Sequence, residues 1–360
     1  MMTKTRELAH MLPEYADAAL IYSQVNRKYF TGFVSSLGYL LVTKRDTYLF
    51  VDFRYAEAAR AVAKNCKIVQ FRKFNDSLKE IIEKENLRVI MLESSAFTFE
   101  MYNAMEDTFR LCRVSTIKND ELDKIISKMR GIKTEQEIEL MQRATNLTEE
   151  ALAETLKQVK VGACERDLAL FMEMYMRKHD ALGVAFDLII ISGKKTSMPH
   201  GVPDDKKLEY GDLITMDIGA DIDGYKSDMT RTVALGAVND YQAKVYDIVK
   251  TAQQAALDKI KDGVSCGEVD KAARDIIYKA GFEGCFGHAT GHGVGLEIHE
   301  KPSLSPDNCF KLASGMVVTS EPGIYLDNEF GVRIEDMVLV TENGCKNFNS
   351  FTKDLIILEN

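Results

Sequence analysis

Three histidines within twelve residues mark the part of the chain in which chemically versatile side chains are most concentrated. His288, His292 and His299 are interleaved with four glycines between positions 287 and 295. Glycines at this density disfavour a helix and let other groups approach the backbone closely. His200 follows a proline in a separate segment. Imidazoles can bind metals or move protons. A polar glycine loop with incidental histidines is the alternative.

Two aspartates flank a predicted β-hairpin. Asp223-Gly224 is a strong signal for a two-residue turn between apolar runs, and this turn places Asp217 opposite Thr230. By the same register Asp228 faces Gly219, so Asp217 and Asp228 are diagonal neighbours on one face, with Cα atoms about 7–8 Å apart. Two carboxylates at this spacing repel each other unless a cation lies between them. A one-residue change in register would place them on opposite faces, and a solvated acidic hairpin is the alternative.

Two glutamates lie at the end of, or within, apolar and β-branched runs. Glu321 closes one run and precedes a proline, which favours an extended chain. A strand predicted over residues 331–340 would put Arg333 and Glu335 on one face by its period of two. A carboxylate buried in such a run is costly without a partner. Together with the hairpin and His292, these glutamates supply four carboxylates and one imidazole.

This donor set suits two divalent cations. Oxygen-rich ligands with one imidazole fit manganese, cobalt or iron, with zinc as a further option, and the lack of paired cysteines argues against a structural zinc site. Four carboxylates and two divalent ions would neutralise one another. Two metal ions about 3.5–4 Å apart can generate hydroxide at neutral pH and stabilise a tetrahedral intermediate. The residues therefore indicate hydrolysis.

The elements that position these residues fall into two parts. In the first 120 residues, β-prone runs alternate with helical segments, which predicts an α/β layer domain. The predicted strands cover 39–43, 47–51, 68–71 and 89–92, and the predicted helices cover 56–63 and 76–85.

Helical spacing replaces this alternation from about residue 120. Thr134 with Glu137 forms a capping-box pattern ahead of an apolar helix. We place the domain boundary on the connector at about 120–131, and expect an α+β second domain. Its predicted helices cover 134–159, 165–179, 240–261 and 267–280.

Composition sets the broad class. The chain has 360 residues, 46% of them hydrophobic and 28% charged, and this length favours two domains. A formal net charge of −9 without a basic tract argues against nucleic acid as a partner. No apolar run is long enough to cross a bilayer, and the N-terminus lacks the apolar segment of a signal peptide. Seven cysteines without a C-x-x-C motif are expected to be reduced, so we expect a cytoplasmic protein without membrane partners.

The chain resembles the pita-bread metallopeptidases, specifically the proline-directed branch of Xaa-Pro aminopeptidases and prolidases. Six motifs carry this resemblance: Pro199-His-Gly, Met216-Asp-Ile-Gly, Ser227-Asp-Met-Thr-Arg-Thr, Gly291-His-Gly-Val-Gly-Leu, Glu321-Pro-Gly and Arg333-Ile-Glu335-Asp. Tyr29-Phe-Thr-Gly-Phe and Val51-Asp-Phe-Arg-Tyr resemble an N-terminal creatinase-type domain. The resemblance implies an α/β creatinase/prolidase-type domain over 1–122 and an α+β pita-bread catalytic domain over 123–360.

The resemblance also implies roles for individual residues. The implied metal ligands are Asp217, Asp228, His292, Glu321 and Glu335. Glu321 would also take a proton from the attacking water, and His299 would stabilise the tetrahedral intermediate. His200 would contact substrate and assist proton movement, and His288 would be a further histidine on the substrate side.

The same resemblance implies roles for two more side chains, a metal cofactor and the partners. Arg333 would orient the carboxylate ligands, for which a bidentate guanidinium suits better than a lysine, and Tyr325 would lie in the active site. The cofactor would be two divalent ions, manganese first, with cobalt, zinc or iron as alternatives. The partners would be proline-containing peptides or dipeptides and a second copy of the chain in a homodimer.

The choice within the branch depends on one position. In the family that this chain resembles, several microbial prolidases have an arginine directly after the His-Glu-x-Pro segment. This arginine can pair with a dipeptide's carboxylate. This chain has Ser303 there, which favours an Xaa-Pro aminopeptidase, although Lys301 keeps a prolidase open. A metal-free creatinase-like enzyme or an inactive peptide-binding module would be expected to lack ligands, and all five positions are filled. A methionine aminopeptidase would lack the N-terminal domain.

Overall fold

The computed structural model describes residues 2–359. The chain divides into two compact units, one ending at Arg130 and the other beginning at Gly131. Within the described residues no helix is both long and apolar enough to cross a membrane.

The first unit is a mixed sheet with helices. Its elements are α1 (Lys4–Met11), β1 (Ala18–Ile21), α2 (Gln24–Thr31), β2 (Tyr39–Thr43), β3 (Thr47–Val51), α3 (Phe53–Val62), β4 (Lys67–Gln70), α4 (Phe74–Glu85), β5 (Val89–Leu92), α5 (Phe99–Leu111), β6 (Ser115–Ile117) and α6 (Glu121–Gly131). The strands are ordered β4-β3-β2-β1-β5-β6, antiparallel across β3-β2-β1 and parallel elsewhere. Leu20, Leu41 and Ile90 lie in its buried core. The predicted α/β layer is confirmed.

Four long helices belong to the second unit. They are α7 (Glu135–Leu156), α8 (Glu165–Lys178), α9 (Asp240–Lys259) and α10 (Cys266–Lys279), and a short 3-10 helix covers Gly193–Ser197. The predicted capping box is confirmed, because Thr134 accepts the Glu137 N–H and Glu137 accepts the Thr134 N–H. All four helices lie within a few residues of the ranges predicted from sequence.

The strands of the second unit form several small sheets. They are β7 (Gly183–Val184), β8 (Ile189–Ser192), β9 (Leu213–Ile218), β10 (Ala220–Ile222), β11 (Tyr225–Lys226), β12 (Met229–Leu235), β13 (Gly291–Gly293), β14 (Glu300–Leu304), β15 (Val317–Ser320), β16 (Gly323–Leu326), β17 (Phe330–Arg333), β18 (Asp336–Val340), β19 (Cys345–Asn347) and β20 (Ile357–Leu358). The sheet orders are β11-β10-β7, β20-β12-β9-β8, β14-β13-β15-β18-β19 and β16-β17.

Two apolar cores support these sheets. Helices α7 and α8 pack with the sheet that contains β9 and β12, through residues such as Leu147, Met172 and Met216. Helices α9 and α10 pack with the sheet that contains β15 and β18, through residues such as Val249 and Val318. The helices therefore cover sheet faces, and the polar ligand candidates lie at strand ends.

Candidate metal centre and active site

The two aspartates occupy the hairpin predicted for them. Asp217 pairs with Thr230 between β9 and β12, and Ile222 pairs with Tyr225 beside the turn, so the predicted register is confirmed. Asp228 is buried immediately before β12. Gly219 lies between β9 and β10, where a Cβ atom would collide with the carbonyl oxygen of Ser227. Glycine is therefore required at the point where the two arms approach each other.

His292 is held between two glycines of β13. A Cβ at either Gly291 or Gly293 would collide with backbone atoms of a neighbouring strand. The His292 backbone N–H donates to Thr319 Oγ1 at 3.0 Å, and its Nδ1 lies 3.1 Å from the carbonyl oxygen of Gly293. We assign the ring proton to Nδ1, which leaves the Nε2 lone pair directed at the carboxylates.

The carboxylates converge on this nitrogen. His292 Nε2 lies 3.3 Å from Glu321 Oε1 and 3.6 Å from Asp228 Oδ2. Ligand atoms of Asp228, His292 and Glu335 all lie within 4.8 Å of one another, which is a spacing that one metal ion could bridge. Glu335 is placed by Thr230, whose carbonyl accepts its N–H at 3.1 Å and whose Oγ1 donates to its Oε2 at 2.7 Å.

The strand predicted across residues 331–340 is wrong as a single element. β17 ends at Arg333 and pairs with β16, whereas β18 begins at Asp336 and pairs with β15. Ile334 and Glu335 lie between the two strands. Glu335 therefore reaches the cluster from a break between sheets rather than from the face of a strand.

Electrostatics favour a cation among these groups. Burial raises the pKa of Asp228 and of Glu335 well above the usual range, and neighbouring carboxylates raise both further. Burial also raises the pKa of Glu321. Asp217 Oδ1 is buried and has no hydrogen-bond partner among residues 2–359. An orphaned buried oxygen beside mutually repelling carboxylates fits a divalent metal, which would satisfy the oxygen and neutralise the charge.

A hydrogen-bonded chain runs from Asp217 to His288. Arg333 Nη2 donates to Asp217 Oδ2 at 2.7 Å, and its Nη1 lies 2.9 Å from the Tyr325 hydroxyl. That hydroxyl lies 2.9 Å from His288 Nε2, and His288 Nδ1 lies 2.8 Å from the carbonyl oxygen of Ala289. Burial raises the pKa of Tyr325 to about 12 and lowers that of His288. A neutral His288 would therefore accept from a protonated Tyr325.

The remaining two histidines of the predicted site, His299 and His200, are both exposed. The His299 ring is exposed, and its centroid is 4.4 Å from that of His292, at 72° between the ring planes. Burial lowers the pKa of His299 and so favours its neutral ring; His292 and His200 lower this pKa further, whereas Asp217 raises it. His200 is exposed in the turn after the 3-10 helix, next to Pro199, whose carbonyl accepts from Arg333.

Sequence reasoning missed two hydroxyls that contact the candidate ligands. Thr230 contacts both Glu335 and Arg333, and Thr319 contacts both His292 and Glu321. A signal was present for each of them. Thr230 is the predicted cross-strand partner of Asp217, and Thr319 lies two residues before Glu321 on an alternating strand.

Comparison with known protein families places both halves of the chain. Residues 139–342 match metallopeptidase family M24, and residues 6–132 match the creatinase/prolidase N-terminal domain. The chain is 37% identical over 359 residues to an Xaa-Pro dipeptidase of Pyrococcus furiosus, covering 99% of this chain and 100% of that one. It is also 37% identical to the uncharacterized peptidase YqhT of Bacillus subtilis, over 95% of this chain and 96% of that one.

Solved structures agree over the full length. An Xaa-Pro dipeptidase from Bacillus anthracis has a TM-score of 0.94 at 35% identity and covers 99% of each chain. An X-Pro aminopeptidase from Thermotoga maritima has a TM-score of 0.91 at 34% identity, over 99% of this chain and 100% of that one. The predicted resemblance and the fold class, a creatinase-type domain followed by a pita-bread catalytic domain, are thus confirmed. The chain belongs to metallopeptidase family M24 and is a metallopeptidase with a creatinase/prolidase-type N-terminal domain.

Proposed function

We propose that this protein is a dinuclear metallo-exopeptidase that hydrolyses the bond before proline in Xaa-Pro dipeptides. The observation that carries the proposal is the convergence of ligand atoms from Asp228, His292 and Glu335, with Glu321 and the orphaned Asp217 oxygen beside them. The name Xaa-Pro dipeptidase on two relatives that match 99% and 94% of the chain supports the dipeptide substrate.

The proposed cofactor is a pair of divalent ions held by the five donors Asp217, Asp228, His292, Glu321 and Glu335. Bound ions would supply Lewis acidity and lower the pKa of a coordinated water. The oxygen-rich donor set favours manganese, with cobalt, zinc or iron as alternatives. Arg333 donates to one oxygen of Asp217, so the other oxygen stays available to a metal.

The surrounding side chains would handle protons and the substrate. Glu321 is proposed to accept the proton of the nucleophilic water. His299 is proposed to donate to the developing oxyanion, for which a neutral imidazole next to His292 is suited. His200 and His288 are proposed to contact substrate, and Tyr325 with Arg333 to keep His288 as an acceptor.

An Xaa-Pro aminopeptidase is the second candidate, and Ser303 is the observation that favours it. Ser303 lies opposite His292 in the β13–β14 pair, so a residue at this position is next to the ligands. Its hydroxyl offers a dipeptide carboxylate no charge. Lys301 lies two residues earlier on the same strand, with an exposed side chain, where the pairing register shifts between Ser303 and Glu300. We assign the carboxylate contact to Lys301 if the dipeptide is the substrate.

Hydrolysis of Ala-Pro and of Ala-Pro-Ala tests the proposal after chelation and reconstitution with Mn²⁺, Co²⁺ or Zn²⁺. We expect no turnover after chelation, recovery with Mn²⁺ or Co²⁺, and a higher kcat/KM for the dipeptide. Lys301→Met should lower that preference and Ser303→Arg should raise it. A preference for Ala-Pro-Ala would favour the aminopeptidase. Full turnover by protein shown to be metal-free would overturn the metal mechanism.

We also propose a homodimer and a cytoplasmic location. The resemblance to dimeric family members supports the first, and seven cysteines without a C-x-x-C motif support the second. Light scattering of the purified protein and fractionation of the source cells test them.

A further inference from the structure

The loop that joins His292 to His299 is folded around one carboxylate, that of Glu300. Glu300 begins β14 and pairs with Gly293, so residues 294–299 form a loop closed by this pair. Glu300 Oε1 accepts the N–H of Leu296 at 3.0 Å and the N–H of Glu297 at 3.2 Å. The side chain therefore turns back into the loop that its own backbone closes.

Gly295 makes room for this carboxylate. A Cβ at position 295 would lie 2.7 Å from each of the two carboxylate oxygens of Glu300. The Gly295 carbonyl accepts the N–H of Lys226 at 2.9 Å, on β11 two residues before Asp228. The loop is thus tied both to Glu300 and to the hairpin that carries a proposed ligand.

Lys133 fixes the other side of the same carboxylate. Its Nζ lies 3.2 Å from Glu300 Oε2, and the two side chains are 2% and 7% exposed. Its backbone N–H donates to the Gly315 carbonyl at 2.9 Å, and the next residue, Thr134, caps helix α7. A buried ion pair adds little net stability compared with apolar residues, but it defines one geometry and is costly to break. The pair is therefore suited to hold a loop in place.

We propose that Lys133 and Glu300 are positioning residues for His299. This inference rests on the proposed function, in which the His299 imidazole stabilises the transition state. His299 directly precedes Glu300, and its ring lies beside that of His292. Without the carboxylate, the loop, which contains Gly295 and follows Gly293, would adopt many conformations, and the imidazole would lose its fixed place.

The kinetic test is a double-mutant cycle. Glu300→Gln should lower kcat by roughly tenfold or more, keep KM within about threefold and leave metal content unchanged, because a small displacement of a catalytic group is costly. In a His299→Ala background the same change should lower kcat by less than about twofold, since the group being positioned is gone. Equal losses in both backgrounds would overturn the proposal. Glu154→Gln, which removes an exposed pair with Lys157, is the matched control and should change neither constant.

A second measurement separates this proposal from the proposed function. In metal-free protein, Lys133→Met and Gly295→Ala should each speed amide hydrogen exchange at Leu296 and Glu297 by roughly tenfold, with β15 amides unchanged. Unchanged exchange in both variants would overturn the positioning role whatever the activity. Faster exchange in a protein that hydrolyses no Xaa-Pro peptide would retain the loop anchor and reject the peptidase. The Lys133→Met and Gly295→Ala variants also test the proposal if Glu300→Gln fails to fold.

Discussion

At the residue scale, one hydroxyl shows how closely the proposed ligands depend on their neighbours. Thr230 Oγ1 donates to Glu335 Oε2 at 2.7 Å and accepts from Arg333 Nε at 3.1 Å. Thr230→Val keeps the shape but removes both contacts, so we expect metal affinity to fall about 10- to 100-fold. Competition with a metal-binding dye measures this affinity. Thr155→Val, which removes a buried hydroxyl that bonds the Ala151 carbonyl within α7, should leave it unchanged.

The charge of Asp228 is expected to matter for metal binding more than for folding. Asp228→Asn removes the charge of a proposed ligand and almost no volume, and it relieves repulsion with Glu335 in the metal-free protein. Elemental analysis should show lost metal, while the metal-free variant unfolds at a temperature equal to or above that of the metal-free parent. Asp247→Asn, on the exposed side of α9, is the control. Two tightly retained metals in the Asp228 variant would contradict its assignment as a ligand.

Substitutions of the neighbouring histidines His292 and His299 should have different effects on metal content and on kcat. His299→Ala removes the proposed transition-state donor, so kcat should fall about 10²- to 10³-fold with KM within several-fold and both metals retained. His292→Ala should instead lose metal, because its Nε2 faces Asp228 and Glu321. Metal content and kcat of both variants check the assignment. Depleted metal in the His299 variant and normal metal in the His292 variant would reverse the two roles.

At the scale of elements, helix α10 anchors the segment that carries His288. Asp270 accepts from Thr290 and forms a bidentate pair with Arg274, one helical turn away. Arg274 also donates to the carbonyl oxygens of Phe286 and His288 at 2.8 Å. The helix therefore holds both ends of a short turn next to the site.

Asp270→Asn should weaken this anchor. The Asp270 side chain is 1% exposed, and removing one partner of a buried pair costs about 3 kcal/mol of unfolding free energy. We expect this loss in urea denaturation, together with a raised KM, because His288 is proposed to contact substrate. Asp275→Asn on the exposed side of the same helix should change neither. An unchanged KM with lowered stability would show that α10 supports the fold but not the position of His288.

Local signals predicted the helices and the hairpin because each depends on neighbouring residues. The Thr134–Glu137 capping box begins α7, and the Asp223-Gly224 turn fixes the register that brings Asp217 opposite Thr230. The break after Arg333 was not predictable in the same way. Periodicity of two describes one strand and carries no information on its partner, and the partner changes from β16 to β15 within three residues.

The buried ion pairs were also beyond sequence reasoning. Lys133 and Glu300 are 167 positions apart, and each looks like an ordinary charged residue in its own segment. Only the three-dimensional structure shows that the two side chains form a buried ion pair. The same holds for Asp270, whose partners include Thr290 from the glycine-rich segment.

At the scale of the whole molecule, the proposed ligands come from segments spread between Asp217 and Glu335. No short segment contains all five proposed ligands, so their carboxylates come close together only when the catalytic unit folds. Folding therefore has a cost that bound metal would offset, and metal binding and stability are expected to be linked.

This linkage predicts that the stabilities of the metal-free and metal-loaded proteins diverge as pH rises. Burial raises the pKa values of Asp228, Glu321 and Glu335, so in the metal-free folded state these groups keep protons that they lose on unfolding. Their contribution should make stability fall as pH rises above the unfolded values of about 4. Metal binds the ionised carboxylates, so the loaded protein should gain stability relative to the metal-free form over the same range.

Thermal unfolding of chelated and Mn²⁺-loaded protein between about pH 5 and pH 8 measures this difference, with the lower end chosen just above the unfolded pKa values. We expect the gap between the two melting temperatures to widen as pH rises. Metal-free Asp228→Asn should show a shallower decline than the metal-free parent, since one of the repelling carboxylates is gone, whereas Asp247→Asn should follow the parent. A gap that stays constant with pH would mean that the cluster titrates alike in both forms, which is incompatible with a cation held among these three carboxylates.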